Sequence, residues 1–142
     1  MNRVRVIKIG CSDPRIQISM RNYLEKFHDA FEDRQEVFPI LNAGGQRNFT
    51  AEHQRIPFLS QIEIAVNNGA HTCVIFAHED CGAYGGSGNF QNLADERQTY
   101  VNDVNTIARY VESRFAGKLK IQKVMLMRKP RTEDFSRFET IN

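Results

Sequence analysis

Two short stretches carry side chains that could do chemistry together. In IKIGCSDPRIQI (residues 7–18) a thiol, a carboxyl and a guanidinium stand at alternate positions, Cys11, Asp13 and Arg15, where an apolar run meets Pro14. In HEDCGA (78–83), His78 and Cys81 form a His-x-x-Cys pair whose imidazole and thiolate can converge on one point. Cys11, His78 and Cys81 together are a ligand set of the kind zinc prefers, and three protein ligands with one open position is the arrangement of a catalytic zinc rather than a structural one. Each piece alone has a plainer reading. A cysteine after a strand is usually a small core residue, Asp13 before Pro14 is a good helix cap, and a single His-x-x-Cys is weak. Their coincidence decides, provided the fold brings them together.

The elements that must do so are legible as periodicities. VRVIKIG (3–9) alternates and then turns wholly apolar, as a buried strand does. Residues 14–30 place Ile16, Met20, Leu24 and Phe27 at helical spacing, with Pro14 first and Asp13 as cap. EVFPIL (36–41) reads as a second strand, 46–57 as a loop or short helix closing at Pro57, and 58–69 as a helix stopped by Gly69. TCVIFA (72–77) is a third strand, 92–116 a long helix, KIQKVMLM (120–127) a fourth strand, and the rest a tail with Phe135 and Phe138. The order β-α-β-α-β-α-β predicts an α/β fold: a four-stranded parallel, Rossmann-like sheet with helices on both faces. Ligands of such sheets gather beyond the carboxyl ends of the strands, where strand order reverses. Cys11 follows the first strand; His78 and Cys81 follow the third. Other donors fall away by distance. Cys73 is roughly 16 Å from His78 along a strand at about 3.3 Å per residue. His28 is on the order of 20 Å down its helix at about 1.5 Å per residue, and His71 is at the opposite edge. His53, in the uncertain segment, stays open as a fourth ligand.

The totals fit one soluble enzyme-sized domain. The chain has 142 residues, 41% apolar and 25% charged, with a net charge of +2, enough for one core and with no demand for nucleic acid or an anionic membrane. The late basic residues run into Glu133 and Asp134 without aromatic interleaving and read as a solvated face. No run approaches the roughly 20 apolar residues of a membrane span, and no cleavable leader is visible, so a cytoplasmic location is expected. Three cysteines are an odd, sparse set that suits metal ligands or free thiols better than disulfides.

CSDPR, followed by SQIEIAVNNGAHTCVIFAHEDCGA, resembles the β-class carbonic anhydrases, whose signature is Cys-x-Asp-x-Arg and later His-x-x-Cys-Gly. The resemblance covers residues 4–45 and 58–84, and the last third only by its helix-then-strand order. It implies a single domain of that kind over 1–142 and one zinc per chain on Cys11, His78 and Cys81. It makes Asp13 and Arg15 the catalytic pair, and Asn42, Gly44 and Gly82 candidate pocket residues, Asn42-Ala43-Gly44 matching the family's Asn-Ala-Gly loop. His53 is a candidate proton shuttle. The implied reaction is reversible hydration of carbon dioxide to bicarbonate by metal-bound hydroxide, in a homodimer or higher homo-oligomer with the site near the interface.

The chemistry is self-consistent. Zinc brings bound water toward a pKa of ~7 when its ligands are neutral, but two thiolates cancel its charge and leave that water in need of help. Asp13 can accept the hydroxide's hydrogen bond and aim its lone pair. Arg15 can hold Asp13 back, since a free carboxylate beside zinc would bind it. The resemblance implies a second state in which Asp13 rotates onto zinc as fourth ligand and closes the site, favoured at lower pH. The chain departs from the family in its loop, Leu41-Asn42-Ala43-Gly44-Gly45 where Arg-Asn-Ala-Gly-Asn is usual, and only ten residues precede Cys11. The glycine run 85–89 lacks the Lys-Ser/Thr of a phosphate loop. Two rival readings are a carbonyl sulfide or carbon disulfide hydrolase of the same fold, and a non-catalytic zinc protein with a regulatory or bicarbonate-sensing role.

Overall fold

Two strands carry the molecule. β1 (Val6–Cys11) and β3 (Thr72–His78) lie side by side at the centre of the sheet, and every residue of both is buried. Their near-continuous apolar sequences are what strands covered on both faces require. The one charge inside β1, Lys8, is matched by Glu32. In this computed structural model, which describes residues 3–142, β2 (Val37–Asn42) flanks β1 and β4 (Lys120–Met127) flanks β3, all parallel.

The expectation of a four-stranded sheet needs one correction. A fifth strand, β5 (Arg137–Thr140), pairs antiparallel with β4, giving the order β2-β1-β3-β4-β5. Its four residues are all exposed, so it has no apolar alternation to read. Buried anchors hold it instead, Phe135 before it and Ile141 after it, and the Ile141 N–H donates to the Lys123 carbonyl (2.9 Å).

The chain leaves β1 through a short 3-10 turn, Pro14–Ile16, capped by Asp13, before α1 (Gln17–His28) begins. α1 seats Met20 over Gly10 and the Tyr23 ring edge-on to Phe76 (5.5 Å between centroids). After β2 come α2 (Gln46–Thr50) and α3 (Glu52–Asn67), and α4 (Leu93–Arg114) links β3 to β4. With β2 on one side of β1 and β3 on the other, right-handed crossovers place α1 on one face of the sheet and α3 and α4 on the other. α3 begins six residues before the expected start at 58. Pro57 is in its second turn, on an exposed position, where a missing backbone donor is best tolerated. Among the described residues no helix is long and apolar enough to cross a membrane.

Between β2 and α2 the backbone turns back against the end of β1 at Gly45. Its φ is +47°, and a Cβ there would stand 2.9 Å from the Gly10 carbonyl carbon. Only glycine meets both constraints. Gly45→Ala is expected to lower stability by about 1–3 kcal/mol, read as a shift in the denaturant midpoint at unchanged slope.

Candidate metal centre

Parallel pairing of β1 with β3 brings the two motifs together. Cys11 ends β1, His78 ends β3, and Cys81 follows after a two-residue turn in which Asp80 takes a left-handed backbone conformation, φ 57°. The ligand atoms of Cys11, His78 and Cys81 all lie within 4.8 Å of one another, and all three residues are buried. The thiol sulfurs are 4.0 Å apart.

The imidazole is oriented from behind. His78 Nδ1 bonds the Glu79 carbonyl (2.8 Å), which leaves Nε2 pointing into the cluster. That Nε2 is buried and has no hydrogen-bond partner among the described residues. A buried ring nitrogen without a partner is costly, and beside two thiols it is the donor set of a cation. Cys11 also receives the Gly44 N–H at its sulfur (3.2 Å). The Cys81 thiol beside it, aided by the backbone N–H groups of Asp13 and Gly44, holds the Cys11 thiol below its ordinary value against its burial. Cys81, facing the charge on Cys11 and itself buried, is pushed far up. The two sulfurs are close enough to share a proton that a bound metal ion would displace. These residues fit a divalent metal of zinc's preferences.

Asp13 stands beside the cluster, its Oδ2 4.0 Å from His78 Nε2. Its cap role persists, since the Arg15 backbone N–H donates to Oδ1 (2.9 Å). The Arg15 side chain adds a fork, Nε to Oδ1 and Oδ2 (3.2 and 3.1 Å) and Nη2 to Oδ2 (2.8 Å). Hydrogen bonding from that guanidinium, opposed by burial and aided by the backbone N–H, lowers the Asp13 pKa below the usual carboxylate range. Asp13 is thus held by Arg15 in this structure.

The remaining candidates separate. Asn42 accepts the Ser12 and Gly45 N–H groups at its carbonyl (3.0 and 2.9 Å), so its role here is to join β2 to the end of β1. Gly44 touches the site through its N–H, and Gly82 faces open space where a Cβ would meet nothing within 4 Å. His53 is exposed in the first turn of α3 and is outside the cluster. His28 pairs with Gln122 (2.6 Å) and His71 with Thr72 (3.0 Å). Cys73 is fully buried, and burial pushes its thiol up to about 12, which suits an inert core residue.

Sequence reasoning missed the frame around the ligands. Glu79, buried, takes the Arg97 Nε–H (2.8 Å) and the Arg128 backbone N–H (2.7 Å). Glu96, also buried, accepts from the Asp80 N–H and the Tyr100 hydroxyl, both at 2.7 Å. The Tyr100 oxygen in turn accepts the Cys81 N–H (3.3 Å). Glu96 and Tyr100 are one turn apart on α4, an i, i+4 pair whose signal was available. The glycine run folds onto this frame, with the Ser87 hydroxyl donating to Glu96 (2.8 Å) and its N–H to Asp80 (2.9 Å).

No family model matches the chain, and no curated protein matches it in sequence. Solved structures do. One of two tetrameric β-carbonic anhydrases from the ascomycete Sordaria macrospora superposes with a TM-score of 0.69 at 14% identity, covering 99% of this chain and 82% of that one. A β-carbonic anhydrase isoform from Trichomonas vaginalis gives 0.60 at 17%, over 99% and 85%. A carbon disulfide hydrolase gives 0.50 at 15%, over 99% and 80%. At these identities the likeness is one of fold.

Because Cys81 must lose its proton to ligate, loading the apoprotein with zinc at pH 7 should release about one proton per chain, with affinity rising with pH. Calorimetry in buffers of different ionisation enthalpy measures this; zero release would mean that Cys81 does not bind as a thiolate.

Proposed function

We propose that the chain is a single-domain β-class carbonic anhydrase, with one zinc held by Cys11, His78 and Cys81, that interconverts carbon dioxide and bicarbonate. The observation that carries this reading is the buried cluster with an unpartnered His78 Nε2 and a clamped Asp13 carboxylate beside it. The likeness of fold to solved β-carbonic anhydrases supports it. Zinc would supply the Lewis acidity that makes water nucleophilic near neutral pH.

The protein's own residues do the rest. The Glu79 carbonyl fixes the His78 tautomer so that the Nε2 lone pair faces inward. The Gly44 N–H shares the charge of the Cys11 sulfur, which keeps the thiolates from quenching the metal entirely. Asp13 Oδ2, 4.0 Å from His78 Nε2, would accept a hydrogen bond from a water at the centre and so orient its lone pair toward carbon dioxide. Arg15 keeps Asp13 in that role and away from the metal. A homo-oligomer is part of the proposal, in line with the tetrameric state of the Sordaria enzymes.

A second reading, hydrolysis of carbon disulfide or carbonyl sulfide at the same centre, draws on the likeness to a carbon disulfide hydrolase. Both are attacks on a linear heterocumulene, so the site chemistry is common to them.

Stopped-flow hydration of carbon dioxide by zinc-loaded protein tests the proposal. Catalysis above buffer is expected, and its absence up to about pH 9 would overturn it; turnover of the sulfur substrates alone would select the second reading. Asp13→Ala should keep the metal and lose roughly 10- to 100-fold in rate, whereas Cys11→Ala should lose the metal itself, as counted by metal analysis.

A further inference from the structure

Arg15 restrains Asp13, and the structure shows what restrains Arg15. A guanidinium has five N–H donors in a fixed fork, and in Arg15 each has an acceptor. Nε serves Asp13. Nη2 serves Asp13 Oδ2 (2.8 Å) and the Asp80 carbonyl (2.9 Å). Nη1 serves Asp80 Oδ2 (3.0 Å) and Glu133 Oε2 (3.1 Å). The guanidinium also lies over the ring of Phe135, 5.2 Å from its centroid, and that ring stands edge-on to His78 at 5.7 Å. Glu133 and Phe135 both come from the connection between β4 and β5, which is tied to the same corner by Arg128 Nη1 on Asp80 Oδ2 (2.9 Å).

We propose that Glu133 and Phe135 are positioning residues for the Asp13–Arg15 pair, pinning the guanidinium so that it cannot follow Asp13 toward the metal. The proposal rests on reading Cys11, His78 and Cys81 as a metal centre. Asp13 Oδ2 is already close to His78 Nε2, so its carboxylate competes for any fourth position on that metal. A mobile arginine would travel with it, keeping one oxygen paired while the other ligates. A pinned arginine cannot. Asp13 must then abandon the fork, leaving the Nε–H and one Nη2–H without partners, and the fourth position stays open to an outside ligand. Glu133 is 67% exposed, so its removal costs the fold little and acts mainly on Arg15. Phe135 is buried, so its ring is also structural, and leucine is the substitution that keeps an apolar side chain there.

Cobalt(II)-loaded protein titrated with thiocyanate reads the open fourth position directly through the visible d–d bands. Glu133→Ala and Phe135→Leu should each weaken thiocyanate binding by about two- to five-fold, with the thiolate-to-cobalt charge-transfer band unchanged. In an Asp13→Asn background, where no carboxylate competes, adding Glu133→Ala should change nothing. Wild-type affinity in Glu133→Ala, or a loss that persists in the Asp13→Asn background, would overturn the inference. Absence of the charge-transfer band in the wild-type protein would remove the metal centre and the inference with it. Cobalt binding with the expected shifts but no carbon dioxide hydration would sustain the positioning role and discard the proposed reaction.

Discussion

Two thiols and an imidazole nitrogen share one buried corner, and the protein's own groups do not satisfy all three. His78 Nε2 has no hydrogen-bond partner among the described residues, and the two sulfurs lie 4.0 Å apart. Desolvating such groups without compensation is unfavourable by kilocalories, so the corner exists because the fold forces it. The force is the adjacency of β1 and β3. Both are buried along their whole length, so neither can slip in register without moving apolar side chains and their ladder partners together. A rigid apolar pair therefore holds a polar cluster that could take up a cation.

Charge around that corner is arranged in layers. Asp13 and Asp80 face Arg15; Arg128 adds a second cation to Asp80; Glu79 is neutralised by Arg97 and by a backbone donor. Glu96 has no cationic partner among these contacts and relies on the Asp80 N–H, Ser87 and Tyr100. Buried carboxylates are tolerable when they are hydrogen-bonded, and one of the donors to Glu96, the Asp80 N–H, belongs to the turn that carries Cys81. The same bonds that satisfy Glu96 thus fix the turn's path, including the left-handed backbone at Asp80. Ligand geometry and carboxylate satisfaction are one network.

How much of this was legible follows from how far apart the partners are in the chain. Cys11, Asp13 and Arg15 lie within five residues, and His78 and Cys81 within four, so local spacing carries the candidate ligand set and the Asp13–Arg15 pair. The strands that position them were visible as apolar runs, and β4 was read at its observed bounds. Pro57 reads as a helix boundary because proline usually marks one, but an exposed second-turn position makes it compatible with α3. β5 left no pattern, since all its side chains are exposed and its pairing is set by β4. The contact of Glu133 with Arg15 spans 118 residues and no periodicity announces it. Local chemistry was readable; the groups that tune it arrive from across the sheet.

Asp13 gathers these strands of argument in one side chain. Its Oδ1 is engaged by the Arg15 backbone N–H and so belongs to the cap that starts the turn after β1. Its Oδ2 is engaged by the Arg15 fork and faces the imidazole. Movement toward a metal would cost the cap hydrogen bond as well as the ion pair, and the two costs are coupled because one residue, Arg15, supplies both. A cap alone contributes about 1 kcal/mol, too little to exclude a carboxylate from a dication nearby. The side-chain fork must supply the rest, and a fork restrains only as firmly as its base is fixed. That is why the carboxylates and the aromatic ring on the far side of Arg15 belong to the site as much as the ligands do.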